Sequence, residues 1–148
     1  METQSQKRIT ALFIPYTLEN GVIKIFLQKR SLIVKRIPGY FGFWGGHAED
    51  NETPEENLKR EVKEELNVDI DLNDVVFFNK YEFLRKIKYT FLFKTTESWS
   101  ETVTVEKEEG DYGQWFTTEE ALNLDKFIFE DKMIVTDLER VLLDKPIR

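Results

Sequence analysis

The fold and the chemistry of this chain depend on one stretch, Gly45-Gly46-His47-Ala48-Glu49-Asp50-Asn51-Glu52-Thr53-Pro54-Glu55-Glu56-Asn57-Leu58-Lys59-Arg60-Glu61-Val62-Lys63-Glu64-Glu65-Leu66-Asn67-Val68. It starts as a glycine turn, continues as an acidic loop and ends in a pattern typical of a helix. Thr53 can cap a helix with its side-chain oxygen, Pro54 suits the first helical position, and Glu56 lies three residues after the cap. This capping box predicts a helix from about Pro54 to about Leu66.

The predicted helix has an apolar stripe and an acidic arc beside it. Leu58, Val62 and Leu66 are spaced i, i+4, i+8, so they face the core. Three carboxylates fall next to this stripe within an arc of roughly 100°. These carboxylates belong to Glu61, Glu64 and Glu65.

Three like charges on one arc of a helix repel one another, so a positive charge must compensate them. Hard divalent cations prefer oxygen ligands, and a magnesium ion bound by carboxylates and substrate phosphates would supply that charge. The alternative is a solvated acidic face, which is the ordinary state of a glutamate-rich helix. The glutamates alone favour the solvated face, and the residues around them must decide.

The whole stretch resembles the signature of the Nudix hydrolases. That signature reads Gly, five residues, Glu, seven residues, Arg-Glu, an aliphatic residue, any residue, Glu-Glu, any residue, Gly and an aliphatic residue. The corresponding positions in this chain are Gly46, Glu52, Arg60, Glu61, Val62, Glu64, Glu65, Asn67 and Val68. A match over so many positions is a specific signal, so we interpret the stretch as a Nudix motif.

Three asparagines depart from the family pattern. Asn51 and Asn67 stand where glycine is usual, and asparagine replaces glycine best where the backbone is left-handed. We therefore expect both to be tolerated, with Asn67 just after the end of the helix. Asn57 stands where a small residue is common, on the arc of the glutamates, so we expect it to crowd them or to hydrogen-bond to them.

The resemblance implies a site for Mg²⁺, or for Mn²⁺ in its place. The residues it assigns to the metal are Gly46, Glu61, Glu64, Glu65 and Glu109. Glu109 is included because the segment from Glu109 to Trp115 resembles the part of MutT-type members in which a loop glutamate reaches the metal. Glu108 and Asp111 compete with it for this role.

The resemblance also implies roles in catalysis. Glu61 or Glu109 is expected to take the proton of the attacking water, with Glu64 and Glu65 as firm metal ligands. Arg60 is always protonated and cannot be a base, so its expected role is to neutralise part of the glutamate cluster. Glu52 is expected to pair with Arg60 and to hold the acidic loop against the helix.

Candidate substrate contacts precede the motif. Arg30 belongs to a group of four cations between residues 29 and 36, which either solvate a loop or contact phosphate. The family often has an arginine at the end of the second strand, which favours Arg30. Phe43 and Trp44 end an aromatic run and could contact the substrate, although aromatic residues more often belong to the core.

The rest of the chain supplies strands and two further helices. The predicted strands are residues 9–16, 22–27, 75–83 and 88–95. Asn20-Gly21 predicts a tight hairpin between the first two strands, and residues 84–87 predict a turn between the last two. A short helix is expected after Thr117 and a longer one over residues 130–143. The resemblance implies an α/β fold, a Nudix-type α/β/α sandwich with a mixed β-sheet between helices.

Composition limits the class of protein. The 148 residues suit one domain, 1–148, and 41% hydrophobic residues favour a globular fold. The chain has no cysteine and no run of roughly 18 apolar residues, so we expect a cytoplasmic protein without a membrane partner. A net charge of −7 disfavours a general nucleic-acid surface. Dimerisation is common in the family, so a homodimer is a further expectation.

The implied reaction is the hydrolysis of a nucleoside diphosphate linked to another group. The first expectation is a nucleoside triphosphate cleaved to the monophosphate and pyrophosphate, and the second is ADP-ribose or a nucleotide sugar. Dinucleoside polyphosphates and mRNA caps follow. A nucleotide sensor without catalysis stays open as another class of function. The retained signature glutamates favour an enzyme over such a sensor.

Overall fold

A mixed β-sheet lies between helices in the computed structural model, which describes residues 7–107 and 110–144. The elements are β1 (Arg8–Glu19), β2 (Val22–Arg30), β3 (Phe41–Gly42), β4 (Trp44–His47), α1 (Pro54–Leu66), β5 (Val76–Glu82), β6 (Lys86–Lys94), β7 (Gly110–Thr117), α2 (Thr118–Leu122) and α3 (Phe129–Leu142). Short 3₁₀ helices form at Leu72–Asp74 and Glu97–Thr102. Among the described residues, no helix is both long and apolar enough to span a membrane.

The sheet is built around β1. Its strands follow the order β3-β2-β1-β6-β5, with β4 paired to β1 and β7 paired to β2. β1 and β6 are parallel, and the other pairs are antiparallel. The mixed sheet predicted from the sequence is therefore confirmed.

Successive residues of β1 point to opposite faces of the sheet and enter two separate hydrophobic clusters. Ala11 and Phe13 pack with the apolar stripe of α1, whose three members are fully buried. Leu12 and Ile14 pack with the buried side of α3. The sheet thus separates α1 from α3, which is the expected α/β/α arrangement.

Local sequence signals fix several boundaries. Asn20 and Gly21 have φ values of 54° and 76°, which a two-residue hairpin turn requires, and Glu19 pairs with Val22 across it. α1 begins and ends at the predicted residues. α3 agrees with the predicted range within one residue at each end.

Three strand boundaries differ from the prediction by more than one residue. β2 extends three residues beyond 27, because its pairing with β7 continues to Arg30. β1 extends three residues beyond 16, because its pairing with β2 continues up to the hairpin turn. β6 begins at Lys86, earlier than predicted, because the Phe83 N–H donates to the Lys86 carbonyl at 2.8 Å and closes a tighter turn. Lys88 therefore lies inside β6 instead of at its first position, and its side chain contacts Asp131 of α3.

Candidate active site

The entry to α1 is fixed by reciprocal hydrogen bonds. The Glu56 N–H donates to Thr53 Oγ1 at 3.1 Å, and the Thr53 N–H donates to Glu56 Oε1 at 2.9 Å. The predicted capping box is confirmed. Both asparagines that replace glycine are left-handed, since Asn51 has φ 68° and Asn67 has φ 59°.

The predicted glycine turn is wrong, because Gly45 and Gly46 lie inside β4 and pair with β1. Gly45 brings β4 close to β1. Its φ is +134°, and a Cβ added there would lie 1.9 Å from the Ala11 carbonyl oxygen. Only glycine fits this position. The Gly45 N–H donates to Glu65 Oε1 at 2.8 Å, so β4 also holds one of the signature carboxylates.

Gly46 lies against a second signature carboxylate. A Cβ added to Gly46 would lie 2.6–2.7 Å from the carboxylate atoms of Glu61. The absence of a side chain at this position therefore creates the space that the Glu61 carboxylate occupies. At this point β4 and α1 meet without an intervening side chain at position 46.

Arg60 links the acidic loop to the helix. Its Nε and Nη2 donate to the two carboxylate oxygens of Glu52, at 2.7 and 3.0 Å. Nη2 also donates to the His47 carbonyl at 2.9 Å. The hydrogen bonds from Arg60 hold the pKa of Glu52 below its usual value. The structure thus contains the Glu52–Arg60 pair that the family resemblance implied.

The other end of the same guanidinium lies among the helix carboxylates. Arg60 Nη1 is 3.0 Å from Glu61 Oε2 and 3.2 Å from Glu64 Oε1. The hydrogen bonds that Arg60 donates to Glu52, supported by Glu61 and Glu64, raise the pKa of Arg60, so it is a permanent cation. It therefore supplies part of the positive charge that the acidic arc needs.

The three helix glutamates differ in exposure. Glu61 and Glu65 are buried, whereas the side chain of Glu64 is 53% exposed. Over residues 7–107 and 110–144, no three acidic or histidine side chains converge closely enough to hold a metal ion. Glu109, the expected loop ligand, and its competitor Glu108 lie outside the described residues.

The available donors nevertheless fit a hard divalent cation. Glu61, Glu64, Glu65 and the Gly46 carbonyl offer only oxygen atoms, which Mg²⁺ and Mn²⁺ prefer. The Glu61 carboxylate lies directly against Gly46, in space that any side chain there would fill. In the conformation described, Arg60 and the Gly45 N–H engage these carboxylates.

A cavity of about 320 Å³ opens on the α3 side of β4. Gly45 and His47 of β4 line it, and the N–H of Gly45 also binds Glu65. Two candidate substrate residues, Arg30 and Phe43, also line it. Its other lining residues are Thr10, Leu12, Arg36, Ile37, Lys86, Lys88, Ile128, Glu130 and Asp131.

A buried ion pair in the wall of this cavity was not predicted from the sequence. Lys88 Nζ is 2.8 Å from Asp131 Oδ1 and 2.9 Å from Glu130 Oε1. Burial alone would lower the pKa of Lys88, but Asp131 and Glu130 outweigh burial and raise it. The only signal was a lysine on the inward side of a strand, and it becomes meaningful once α3 is placed opposite.

The prediction that Trp44 contacts the substrate is wrong. We expected it among the substrate contacts, but it is fully buried, its indole N–H donates to the Phe26 carbonyl at 3.0 Å, and its ring stacks on Phe26. The core explanation of the aromatic run is right for Trp44, which offers no surface to a substrate in this structure. Phe43 is also largely buried but borders the cavity.

The side chain of His47 contacts two residues of β1. Its Nε2 is 3.3 Å from Arg8 Nη1, which can only donate, so the proton belongs on Nδ1 and points to Thr10 Oγ1 at 3.0 Å. Burial, followed by the charge of Arg8, lowers the pKa of His47. These contacts give the ring a fixed place in the cavity wall.

The NUDIX domain model matches residues 7–138. The chain belongs to the Nudix family, and it is a hydrolase that acts on pyrophosphate bonds.

Its relatives include an 8-oxo-dGTP diphosphatase of Proteus vulgaris. The two are 36% identical over 84 residues, an alignment that covers 56% of this chain and 72% of that protein.

Solved structures share the fold at low sequence identity. A MutT/nudix family protein from Enterococcus faecalis superposes with a TM-score of 0.75 at 17% identity, over 98% of this chain and 65% of that one. A mutT/nudix family protein from Listeria innocua has a TM-score of 0.73 at 22% identity, over 95% and 97%. The NUDIX domain of Shewanella oneidensis NrtR, solved with ADP ribose, has a TM-score of 0.73 at 14% identity, over 95% and 90%.

Proposed function

We propose that this chain is a Mg²⁺-dependent pyrophosphohydrolase that converts a nucleoside triphosphate to the monophosphate and pyrophosphate. One observation carries the proposal. The signature carboxylates of Glu61 and Glu65 lie against the two glycines of β4, and the other side of this strand borders a cavity. A nucleotide placed across β4 would have its nucleoside in the cavity and its phosphates near the carboxylates.

The helix carboxylates would hold the metal. Glu61, Glu64 and Glu65 are the proposed ligands, with the Gly46 carbonyl and Glu109. When bound, the ion would neutralise charge on adjacent phosphates and lower the pKa of a neighbouring water. Mn²⁺ would serve in the same way.

Residues of the chain would then orient and deprotonate the water. Glu61 or Glu109 would accept its proton, a choice between two carboxylates that mutants can make. Arg60 would keep the Glu61 carboxylate in place through the contact at 3.0 Å. Glu52 would fix Arg60 from the opposite side with two hydrogen bonds.

The cavity would hold the nucleoside. Phe43 offers an apolar wall, while Lys88 and Asp131 place a donor and an acceptor side by side. Arg30 lines the cavity, and its Nε donates to the Arg36 carbonyl at 3.1 Å, so the guanidinium is held where it can face an anionic group of the ligand. The partial identity to an 8-oxo-dGTP diphosphatase supports oxidised purine nucleoside triphosphates as members of the substrate class.

A second candidate is the hydrolysis of ADP-ribose or of a nucleotide sugar. The observation in its favour is the shared fold of the NrtR domain solved with ADP ribose. The structure of a Caenorhabditis elegans Ap4A hydrolase, at a TM-score of 0.65 and 19% identity over 93% of this chain and 99% of that one, adds dinucleoside polyphosphates to the compounds worth testing.

A substrate panel tests the proposal. Ordinary and oxidised nucleoside triphosphates, ADP-ribose, nucleotide sugars and dinucleoside polyphosphates are incubated with Mg²⁺. Pyrophosphate release is measured for the triphosphates, and the nucleotides formed from every compound are separated and quantified by anion-exchange chromatography. We expect pyrophosphate release from triphosphates. Turnover of ADP-ribose alone would favour the second candidate, and nucleotide binding in calorimetry without any turnover would favour a sensor.

A further inference from the structure

Asn57 of α1 lies between Gly46 of β4 and Arg60. Its side chain is completely buried in the first half of α1. Nδ2 donates to the Gly46 carbonyl at 3.2 Å, and Oδ1 accepts from Arg60 Nη2 at 3.3 Å. One amide therefore contacts two groups of the candidate metal site.

This position is costly for an asparagine. Asparagine is a poorer residue than alanine inside a helix, and a buried amide destabilises the fold unless both of its ends are hydrogen-bonded. Here both ends have partners, and both partners belong to the site rather than to the core. The side chain therefore acts on the site.

The direction of its effect follows from the charges. The amide N–H presents its positive end to the Gly46 carbonyl oxygen, which is also a proposed ligand of the metal. A divalent cation that approaches this oxygen meets that positive end and competes for the same lone pairs. Asn57 Oδ1 meanwhile helps to hold Arg60, whose Nη1 lies 3.0 Å from Glu61. Both contacts oppose metal binding.

We propose that Asn57 lowers the affinity of the free enzyme for a divalent cation, so that the cation binds firmly only together with the phosphates of the substrate. The inference rests on the proposed function and deepens it. A nucleotide that already carries its cation supplies additional oxygen ligands, which offset the effect of the amide. The metal–nucleotide complex, rather than the free ion, is then the species that the enzyme binds.

Direct measurement of cation binding tests this inference. Mn²⁺ binding to the substrate-free protein is followed by electron paramagnetic resonance for wild type, Asn57→Ala and Asn57→Ser. Loss of one hydrogen bond that competes with the ion should tighten Mn²⁺ binding by about threefold to tenfold. The Mg²⁺ concentration for half-maximal turnover should fall by a similar factor.

Asn123→Ala is the matched control, because its Nδ2 donates to the Glu119 carbonyl at 3.0 Å in α2, outside the site. It should bind Mn²⁺ as wild type does. Equal or weaker Mn²⁺ binding by the Asn57 variants would overturn the inference, and the serine variant decides if the alanine variant does not fold. Failure of the proposed function would instead show as wild-type protein that binds Mn²⁺ but hydrolyses no substrate in the panel.

Discussion

Two adjacent glycines in β4 have different structural roles. An alanine substitution at each position should distinguish these roles. At Gly45 an added Cβ would meet backbone, the Ala11 carbonyl oxygen at 1.9 Å, in a residue whose φ is +134°. At Gly46 it would meet only the end of the Glu61 side chain, at 2.6–2.7 Å. Backbone cannot move without disturbing the sheet, whereas a side chain can rotate.

We therefore expect Gly45→Ala to lower the free energy of unfolding by about 2–4 kcal/mol, through backbone strain and overpacking. Gly46→Ala should change it by less than about 1 kcal/mol but lower kcat at least about a hundredfold, because Glu61 loses its place. Urea unfolding and steady-state kinetics measure the two quantities. An active Gly46→Ala enzyme would remove Glu61 from the site.

The Glu52–Arg60 pair should make stability depend on pH. The pKa of Glu52 in the folded protein is lowered from 4.5. Its contribution to stability is therefore complete above pH 4.5 and disappears as the pH falls through the lowered value. The difference in unfolding free energy between wild type and Glu52→Gln should be constant between pH 6 and 8 and should decrease at acid pH. A difference that grows on acidification would contradict the assignment.

At the scale of the elements, α1 owes its position to signals at its two ends. Thr53→Ala removes the cap and should destabilise the protein by about 1 kcal/mol, as measured by urea unfolding. Asn67→Gly keeps the left-handed backbone but loses the hydrogen bond from Nδ2 to the Thr104 carbonyl at 2.7 Å. We expect these two effects to offset each other within about 0.5 kcal/mol. A loss of activity in Asn67→Gly would reveal a further role for that side chain.

These end signals are local, which explains why they could be predicted from the sequence. A capping box, an Asn-Gly hairpin and an asparagine in a left-handed turn involve residues only a few positions apart. The contact between Asn57 and Gly46 spans 11 positions and depends on how β4 lies against α1. The sequence predicts that Asn57 crowds the glutamates or hydrogen-bonds to them, whereas in the structure it hydrogen-bonds to the Gly46 carbonyl and to Arg60.

At the scale of the whole molecule, the signature carboxylates and the cavity lie on opposite sides of β4. Gly45 holds Glu65 through its N–H and also lines the cavity next to α3. The ion pair between Lys88 and Asp131 joins β6 to α3 across 43 positions of the chain. Such pairing depends on strand order and register, which explains why neither residue could be predicted as part of the site. Trp44 was misassigned for the same reason, since its burial depends on β2 and α1 closing over it.

The cavity pair gives a prediction at this scale. Lys88→Met leaves the Asp131 carboxylate buried without its cation and should destabilise the protein by about 3–5 kcal/mol. The double variant Lys88→Met/Asp131→Leu should recover most of that stability but alter the preference among nucleobases. Urea unfolding and kcat/KM for different nucleoside triphosphates measure both effects. Unchanged base preference in the double variant would show that the nucleoside binds elsewhere.

The central claim is that the helix carboxylates perform metal-dependent hydrolysis of a nucleotide. The most direct measurement is Mg²⁺-dependent pyrophosphate release from nucleoside triphosphates, including 8-oxo-dGTP, by wild type, Glu64→Gln and Glu55→Gln. Glu64 and Glu55 are both exposed on α1, but only Glu64 belongs to the cluster around Arg60. We predict full activity for Glu55→Gln and at least about a hundredfold loss for Glu64→Gln, with both variants folded. Equal activity of the two variants would contradict the account.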